Sequence, residues 1–231
     1  MNIDTAFITG TSSGLGRGLC ETLLDDGCTV FGCSRRPSAL PGLQHARCDL
    51  RDHETVPGCL ATLLEPAERL DLVVLNAGVL GRIELLHRLP LDEAKAVMEV
   101  NLWSNKTVMD WLHTRGRPVR QVVMISSGAA VLGNKGWGAY ALSKAALNML
   151  AKLYAHEFPD THICALAPGI IDTTMMDHLC DEADADAFPA LQRLRAAPRR
   201  CRRRTRRHAG SCRCSPPCAS SRAAVSWTSV S

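Results

Sequence analysis

An α/β fold, a doubly wound parallel sheet with helices on both faces, is the architecture that this 231-residue sequence predicts. Three observations carry it. Short apolar runs alternate with longer helical patterns along the chain. Several of those runs are apolar without strict alternation, as strands buried on both faces of a parallel sheet must be. Each run is followed by polar or glycine-rich residues, and binding groups in such sheets collect just past the carboxyl ends of the strands.

In chain order the strand candidates are IDTAFIT (3–9), CTVFGCS (28–34), HARCDL (45–50), DLVVLNA (71–77), RQVVMIS (120–126) and HICALAP (162–168). Helical patterns lie near 15–26, 53–69, 91–114 and 138–157. After the first run comes TGTSSGLG and after the second SRR, while Asp49 lies inside the third. NAG, SSG and PGIIDT follow the fourth, fifth and sixth. The length suits one good core, and no internal repeat is visible. The expected organisation is one domain over 1–194, its C-terminal edge incomplete, followed by a tail over 195–231.

Composition narrows the class. Hydrophobic residues make up 46% of the chain, ordinary for a globular protein. No apolar run approaches the roughly 20 residues that span a bilayer. The N-terminal MNIDTAFITG carries acid where a signal peptide needs basic residues. A cytoplasmic protein is expected, with no membrane partner. Cys20, Cys28, Cys33, Cys48, Cys59, Cys164 and Cys180 stand singly, with no CxxC, which reads as reduced thiols rather than a disulfide framework. No metal site is expected in the body. The net charge of +4 averages two unlike pieces. Residues 1–192 hold 16 Lys and Arg against 23 Asp and Glu, a net of −7, whereas 193–231 hold 11 Arg and no acid.

Gly10, Gly14 and Gly16 follow a strand and open a helix. Glycine turns tightly and approaches a phosphate without a Cβ in the way, and the helix start offers free N–H groups. The spacing G-x3-G-x-G is neither G-x-G-x-x-G nor a P-loop, and a glycine-rich turn without a ligand would read the same way. At the second strand end, NAD-binding folds usually place an acid for the ribose hydroxyls. Here stand Ser34, Arg35 and Arg36. Arginine binds a 2′-phosphate through paired donors, so NADP(H) is expected over NAD(H). Two arginines that merely solvate a loop are the alternative. Asp49 suits the adenine amino group, or else a helix N-terminus.

Tyr140 and Lys144 share a helix face, about 6 Å apart along the axis. An ammonium beside a phenol favours phenolate, so the tyrosine pKa is expected below its ordinary value of about 10. Such a tyrosine exchanges a proton with a carbonyl or alcohol oxygen. Ser127 ends the preceding strand, where its hydroxyl can hold that oxygen as charge develops.

TGTSSGLG (9–16), CDL (48–50), NAG (76–78), Asn101 in EVNLW, ISSG (125–128), YALSK (140–144) and PGIIDT (168–173) together resemble the short-chain dehydrogenase/reductase family. The resemblance spans nearly all of 1–176 in the family's order and implies a Rossmann-like NAD(P)-dependent oxidoreductase. It implies a catalytic tetrad of Asn101, Ser127, Tyr140 and Lys144, in which Asn101 anchors a relay water and Lys144 also binds the nicotinamide ribose. The cofactor set it implies is Gly10, Ser12, Ser13, Gly14, Leu15, Gly16, Ser34, Arg35, Asp49, Leu50, Asn76, Ala77, Gly78, Tyr140, Lys144, Pro168, Gly169, Ile171 and Thr173, with the backbone of Ile170 as a further contact. ISSGAA, GWGAY and APGIIDTTM are most similar to sepiapterin reductase and bacterial benzil reductase. The expected reaction is hydride transfer from NADPH to a ketone or α-dicarbonyl, Tyr140 protonating the oxygen. Trp137, Leu132 and Met175–Met176 are candidates for the substrate wall, although Trp137 and the methionines suit core packing nearly as well. The family's homodimer is often built by the helices corresponding to 91–114 and 138–157, where Trp103 and Trp111 lie.

The family pattern fails after about Leu194. Three readings of the tail are open, in this order. The coding frame changes near here: VSWTSV read one base earlier in each codon can give an FVDVR-like edge strand. Or a basic arm binds nucleic acid. Or Cys201, His208, Cys212, Cys214 and Cys218 hold zinc, although the spacing matches no common finger. Under the first reading, a protein that binds cofactor with little or no turnover is the alternative to an active reductase.

Overall fold

The computed structural model describes residues 3–169 together with Phe188 and Gln192. Among these, six strands form one parallel sheet: β1 (Thr5–Thr9), β2 (Thr29–Ser34), β3 (Gln44–Arg47), β4 (Leu72–Leu75), β5 (Gln121–Ile125) and β6 (His162–Leu166). Their order is β3-β2-β1-β4-β5-β6. The helices are α1 (Gly14–Asp25), α2 (Val56–Leu63), α3 (Leu91–Met98), α4 (Ser104–Arg115), α5 (Ala129–Leu132) and α6 (Gly138–Glu157).

Both sheet faces are covered, which is why the strands read as apolar runs without alternation. On β1, Ala6 and Ile8 pack with Val30, Val74 and the Cys20–Leu23 stripe of α1. Phe7, between them, packs with Phe31, Val73, Val122 and Met124, against Leu60 of α2, Met109 of α4 and Leu147 of α6. Each of these large side chains gains roughly 1.5–3 kcal/mol from leaving water.

The strand order reverses at β1, whose neighbours are β2 and β4. That switch opens a crevice beyond the carboxyl ends of the two strands, the usual ligand seat of an open α/β sheet. The glycine loop follows β1, and Asn76–Gly78 follow β4, so the topology brings these segments together.

The 91–114 helix is not one α-helix. A π-helical segment, Glu99–Trp103, joins α3 to α4. Side chains support the widened turn: Ser104 Oγ donates to Val100 O (2.6 Å) and Asn105 Nδ2 to Asn101 O (2.8 Å). Such bulges recur at functional sites, and this one carries Asn101. The third strand also ends earlier than expected, so Asp49 and Leu50 lie in the turn beyond β3. Helix α5 is too short to have shown a period in the sequence.

Candidate active site

The glycine loop is built from packing as much as from turning. Gly10 and Gly14 hold φ of 75° and 57°, in the left-handed region. Gly16 is helical, but a Cβ there would sit 2.3 Å from Gly10 O and 2.4 Å from Asn76 Nδ2. The third glycine therefore lets α1 close onto the loop and onto the strand β4 end. Asn76 is committed to the same joint. Its Nδ2 donates to the carbonyls of Thr9 (3.0 Å) and Gly10 (3.2 Å), while Thr9 Oγ1 accepts the N–H groups of Asn76 and Ala77.

The start of α1 fits an anionic diphosphate. Ser13 at the cap makes no side-chain bond to the helix, and no acidic residue stands in the first turn. Its leading N–H groups and positive dipole end serve a phosphate. Ser12 is half-buried, Ser13 exposed and Leu15 half-buried along this rim.

At the end of β2 the expected cofactor residues are held by contacts within the chain. Ser34 is buried, and its hydroxyl is engaged: it donates to Arg36 O (2.7 Å) and lies 2.8 Å from His45 Nε2. Burial holds that imidazole below its ordinary pKa. Ser34 thus fixes the turn that presents the arginines. Arg35 is exposed, with its carbonyl accepting from Arg47 Nε (3.1 Å). Arg36 reaches Ser13 Oγ at 3.5 Å and joins the basic pair to the glycine loop. Asp49 is clasped by Arg51 through Nε (3.0 Å) and Nη2 (2.6 Å) and also accepts the Arg51 backbone N–H. This ion pair holds the carboxyl below its usual range; an adenine amino group would share it with Arg51. Leu50 is buried beside it.

Ser127, Tyr140 and Lys144 meet in one place. The Ser127 hydroxyl interacts with the Tyr140 phenol and works against its upward pKa shift, and Ser127 Oγ accepts the N–H of Ala129 (3.2 Å). Its neighbour Ser126 is turned away, donating to Asn148 Oδ1 at 2.5 Å. Lys144 is buried, and its Nζ stands 5.8 Å from the Tyr140 ring centre.

The expected lowering of the Tyr140 pKa is overturned. Burial pushes the phenol above its ordinary value, and the Ser127 hydroxyl offsets only part of that. Lys144 Nζ donates to Ile125 O at 2.7 Å, anchoring the cation at the end of β5. Burial lowers that ammonium to about 8. Helical spacing fixed the proximity of the pair; burial decided the direction of the shift.

Asn101, fully buried, holds the site together. Its Oδ1 accepts from Val79 N (2.8 Å), and its Nδ2 donates to Val79 O (2.8 Å) and Ser143 Oγ (2.9 Å). Ser143 Oγ in turn donates to Tyr140 O (2.8 Å). A Cβ on Gly78 would stand 3.2 Å from Asn101 Oδ1 and 3.5 Å from Lys144 Nζ, so this glycine admits both side chains. Ser143 and Asn105 were missed in the sequence reading; polar residues at helical spacing from Asn101 and Tyr140 were the available signal.

The apolar wall consists of Leu80, Ala129, Trp137 and Phe188, with Tyr140 packed against it. Trp137 lies 6.1 Å from Tyr140, ring centre to ring centre. Its Nε1 is buried without a hydrogen-bond partner. Phe188, which sequence reasoning also missed, covers Gly136: a Cβ there would meet its ring at 2.6 Å. Leu132 is exposed. Pro168 and Gly169 (φ 80°) close β6 in the expected place. Ile170, Ile171, Thr173, Met175, Met176 and the 195–231 tail lie outside the described residues.

The sequence profile of the short chain dehydrogenase family matches residues 4–184. A benzil reductase ((S)-benzoin forming) of Saccharomyces cerevisiae is 31% identical over 188 residues, covering 73% of this chain and 72% of its own. A benzil reductase ((S)-benzoin forming) of Bacillus cereus is 29% identical over 208 residues, covering 81% of this chain and 83% of its own. The crystal structure of the short chain dehydrogenase/reductase YIR035C from Saccharomyces cerevisiae superposes with a TM-score of 0.74 at 25% identity, covering 84% of this chain and 81% of its own. With a parallel Rossmann-like sheet, a vacant-capped helix behind a glycine loop, and serine, tyrosine and lysine converging at its crevice, this chain belongs to the short-chain dehydrogenase/reductase family of NAD(P)-dependent oxidoreductases.

Proposed function

We propose that this chain is an NADPH-dependent carbonyl reductase acting on ketones and aromatic α-dicarbonyls, with Tyr140 as the proton donor. The observation that carries the reading is the Lys144 cation held 5.8 Å from the Tyr140 ring, with Ser127 beside the phenol. The phenol carries its proton at neutral pH, the state a donor to a carbonyl needs. Ser127 holds the carbonyl oxygen and stabilises the charge that gathers there. The Lys144 ammonium favours the phenolate once the proton has left. The reduced nicotinamide supplies the hydride when bound. Gly10, Gly14, Gly16 and the start of α1 would hold its diphosphate, Asn76–Gly78 would shape the adenine-ribose side, and Pro168 and Gly169 would border the opposite end.

Arg35 and Arg36 support the phosphorylated cofactor, because both stand at the end of β2 and Arg36 leans to the glycine loop. Resemblance to benzil reductases supports an aromatic dicarbonyl substrate. So does Trp137: a buried indole N–H without a partner costs about 1–3 kcal/mol, and the second carbonyl of a dicarbonyl would satisfy it. Trp103, at the end of the π-helical segment before α4, and Met149 and Leu153 on α6, all exposed, support a homodimer through this helix pair.

The test is a carbonyl panel with NADPH as reductant. Turnover of benzil is expected, and it should fall about tenfold or more in Trp137→Phe, while an aromatic monoketone is reduced equally by both proteins. Absence of turnover across the panel, with cofactor bound, would refute the catalytic reading. Equal losses on both substrates would return Trp137 to packing.

A further inference from the structure

A histidine outside the catalytic group braces the widened turn that carries Asn101. His53 lies in the turn between β3 and α2, three residues after Leu50. Both of its ring nitrogens meet the helix across from it. Nε2 is paired with Glu99 Oε1, and Nδ1 stands 2.7 Å from Thr107 Oγ1. Glu99 opens the π-helical segment, and Thr107 lies one turn beyond its last residue, Trp103. One imidazole therefore spans the bulge, from its first residue to the turn that follows it. Within the bulge the Ser104 N–H reaches back five residues to Glu99 O. Closing that turn to the α pattern would shift one flank by a residue, a rotation of about 100° around the axis. The Asn101 amide would then leave Val79 and Ser143.

The count of protons shows how the brace holds. Thr107 Oγ1 also lies 3.2 Å from Trp103 O, and its single proton goes either there or to His53. The Glu99 carboxylate accepts, so Nε2 is the donor on that side. A charged ring donates to both partners and leaves the Thr107 proton on Trp103 O. A neutral ring keeps its proton on Nε2 and accepts from Thr107. Both forms keep the two contacts, which suits a positioning role rather than proton transfer. The neighbouring charges are committed elsewhere. Asp49 clasps Arg51, Asp52 accepts the Thr55 N–H at 3.2 Å, and Lys106 donates to Asp110 at 2.5 Å.

We propose that His53 is a positioning residue for the reductase: it fixes the register of the π-helical turn, and with it Asn101, and ties that turn to the segment carrying Asp49 and Leu50 at the adenosine end of the cofactor seat. A ligand that orders Asp49 and Leu50 then also steadies Asn101, although the two ends of the seat are far apart in sequence. His53 touches neither the carbonyl nor the nicotinamide; it acts through Glu99 and Thr107. The side chains of His53 and Glu99 are 34% and 39% exposed, so both positions accept substitution without opening the core.

The catalytic half rests on the NADPH reading above; the brace does not, and hydrogen exchange reads it without turnover. Exchange of the backbone amides in 99–107 is followed by mass spectrometry in the full-length natural protein, His53→Ala, Glu99→Ala and Glu99→Gln. Each alanine variant loses a bond to a charged partner, so exchange should quicken about tenfold or more. Glu99→Gln keeps an acceptor and should stay near the natural rate. Combining the two alanine changes should add nothing further. With benzil and NADPH, kcat should fall about tenfold in both alanine variants while KM for benzil holds, and Glu99→Gln should recover most of it. Adenosine 2′,5′-bisphosphate, which has no nicotinamide, should slow exchange of 99–107 in the natural protein but not in His53→Ala. Unchanged exchange in His53→Ala overturns the brace. Quickened exchange with kcat intact overturns the positioning of Asn101. Binding of the bisphosphate without protection of 99–107 overturns the tie to the adenosine end. A natural protein that binds neither it nor NADPH refutes the cofactor reading instead, with exchange in the variants still deciding the brace.

Discussion

At the scale of single residues, the site depends on which group is charged. Lys144 is a buried cation brought down to about 8, whereas in an unfolded chain it titrates near 10.4. Between those values the unfolded chain holds the extra proton, so this group's contribution to stability rises with pH from about 8 to about 10. Lys144→Met removes that slope. Its advantage in stability over the natural protein should be largest below pH 8 and shrink by about 3 kcal/mol towards pH 10.5, as denaturant titration would show; an advantage independent of pH would mean that the ammonium is not desolvated. Tyr140, Lys144 and Ser127 were legible because side-chain type, helical spacing and strand end all pointed to one chemistry. The direction of the Tyr140 shift was not legible, since burial of the phenol is a tertiary fact. For the same reason the engagement of Ser34 with Arg36 and His45 left no sequence signal. Arg35→Asp should weaken NADPH far more than NADH in a binding titration, and Arg36→Asp should do likewise; equal effects on both cofactors would remove the arginines from the 2′-phosphate.

At the scale of elements, joints between segments set the geometry. Gly16→Ala places a methyl against Gly10 O and Asn76 Nδ2, an overpacking that costs about 1–3 kcal/mol. Thermal melting should fall accordingly, and cofactor affinity with it; a protein of native stability and affinity would show that α1 need not approach the loop so closely. Asn101→Ala leaves the backbone N–H and C=O of Val79 and the Ser143 hydroxyl without their partner. Stability should drop by about 1–3 kcal/mol, and turnover should drop in addition, because Ser143 positions Tyr140 through its backbone carbonyl. The NAG turn and the glycine loop were readable as separate motifs, but their union through Asn76 was not. The π-helical turn was invisible because an apolar period averaged over 91–114 absorbs one widened turn.

At the scale of the whole molecule, six apolar runs ending in polar residues were enough to give the parallel sheet, because burial on both faces leaves that pattern in any such strand. The strand order, which places the crevice between β1 and β4, came only with the structure. The proposed homodimer is tested at this scale, because Met149 and Leu153 are exposed one turn apart on α6. Met149→Glu combined with Leu153→Glu should convert a dimer to a monomer in sedimentation without unfolding it; an unchanged mass would place the interface elsewhere. The central claim, that the phenol of Tyr140 delivers the proton during carbonyl reduction, is tested most directly by Tyr140→Phe. With NADPH binding retained by calorimetry, benzil-dependent consumption of NADPH should fall by about 10²–10⁴-fold. Consumption at the natural rate in that variant would contradict the account.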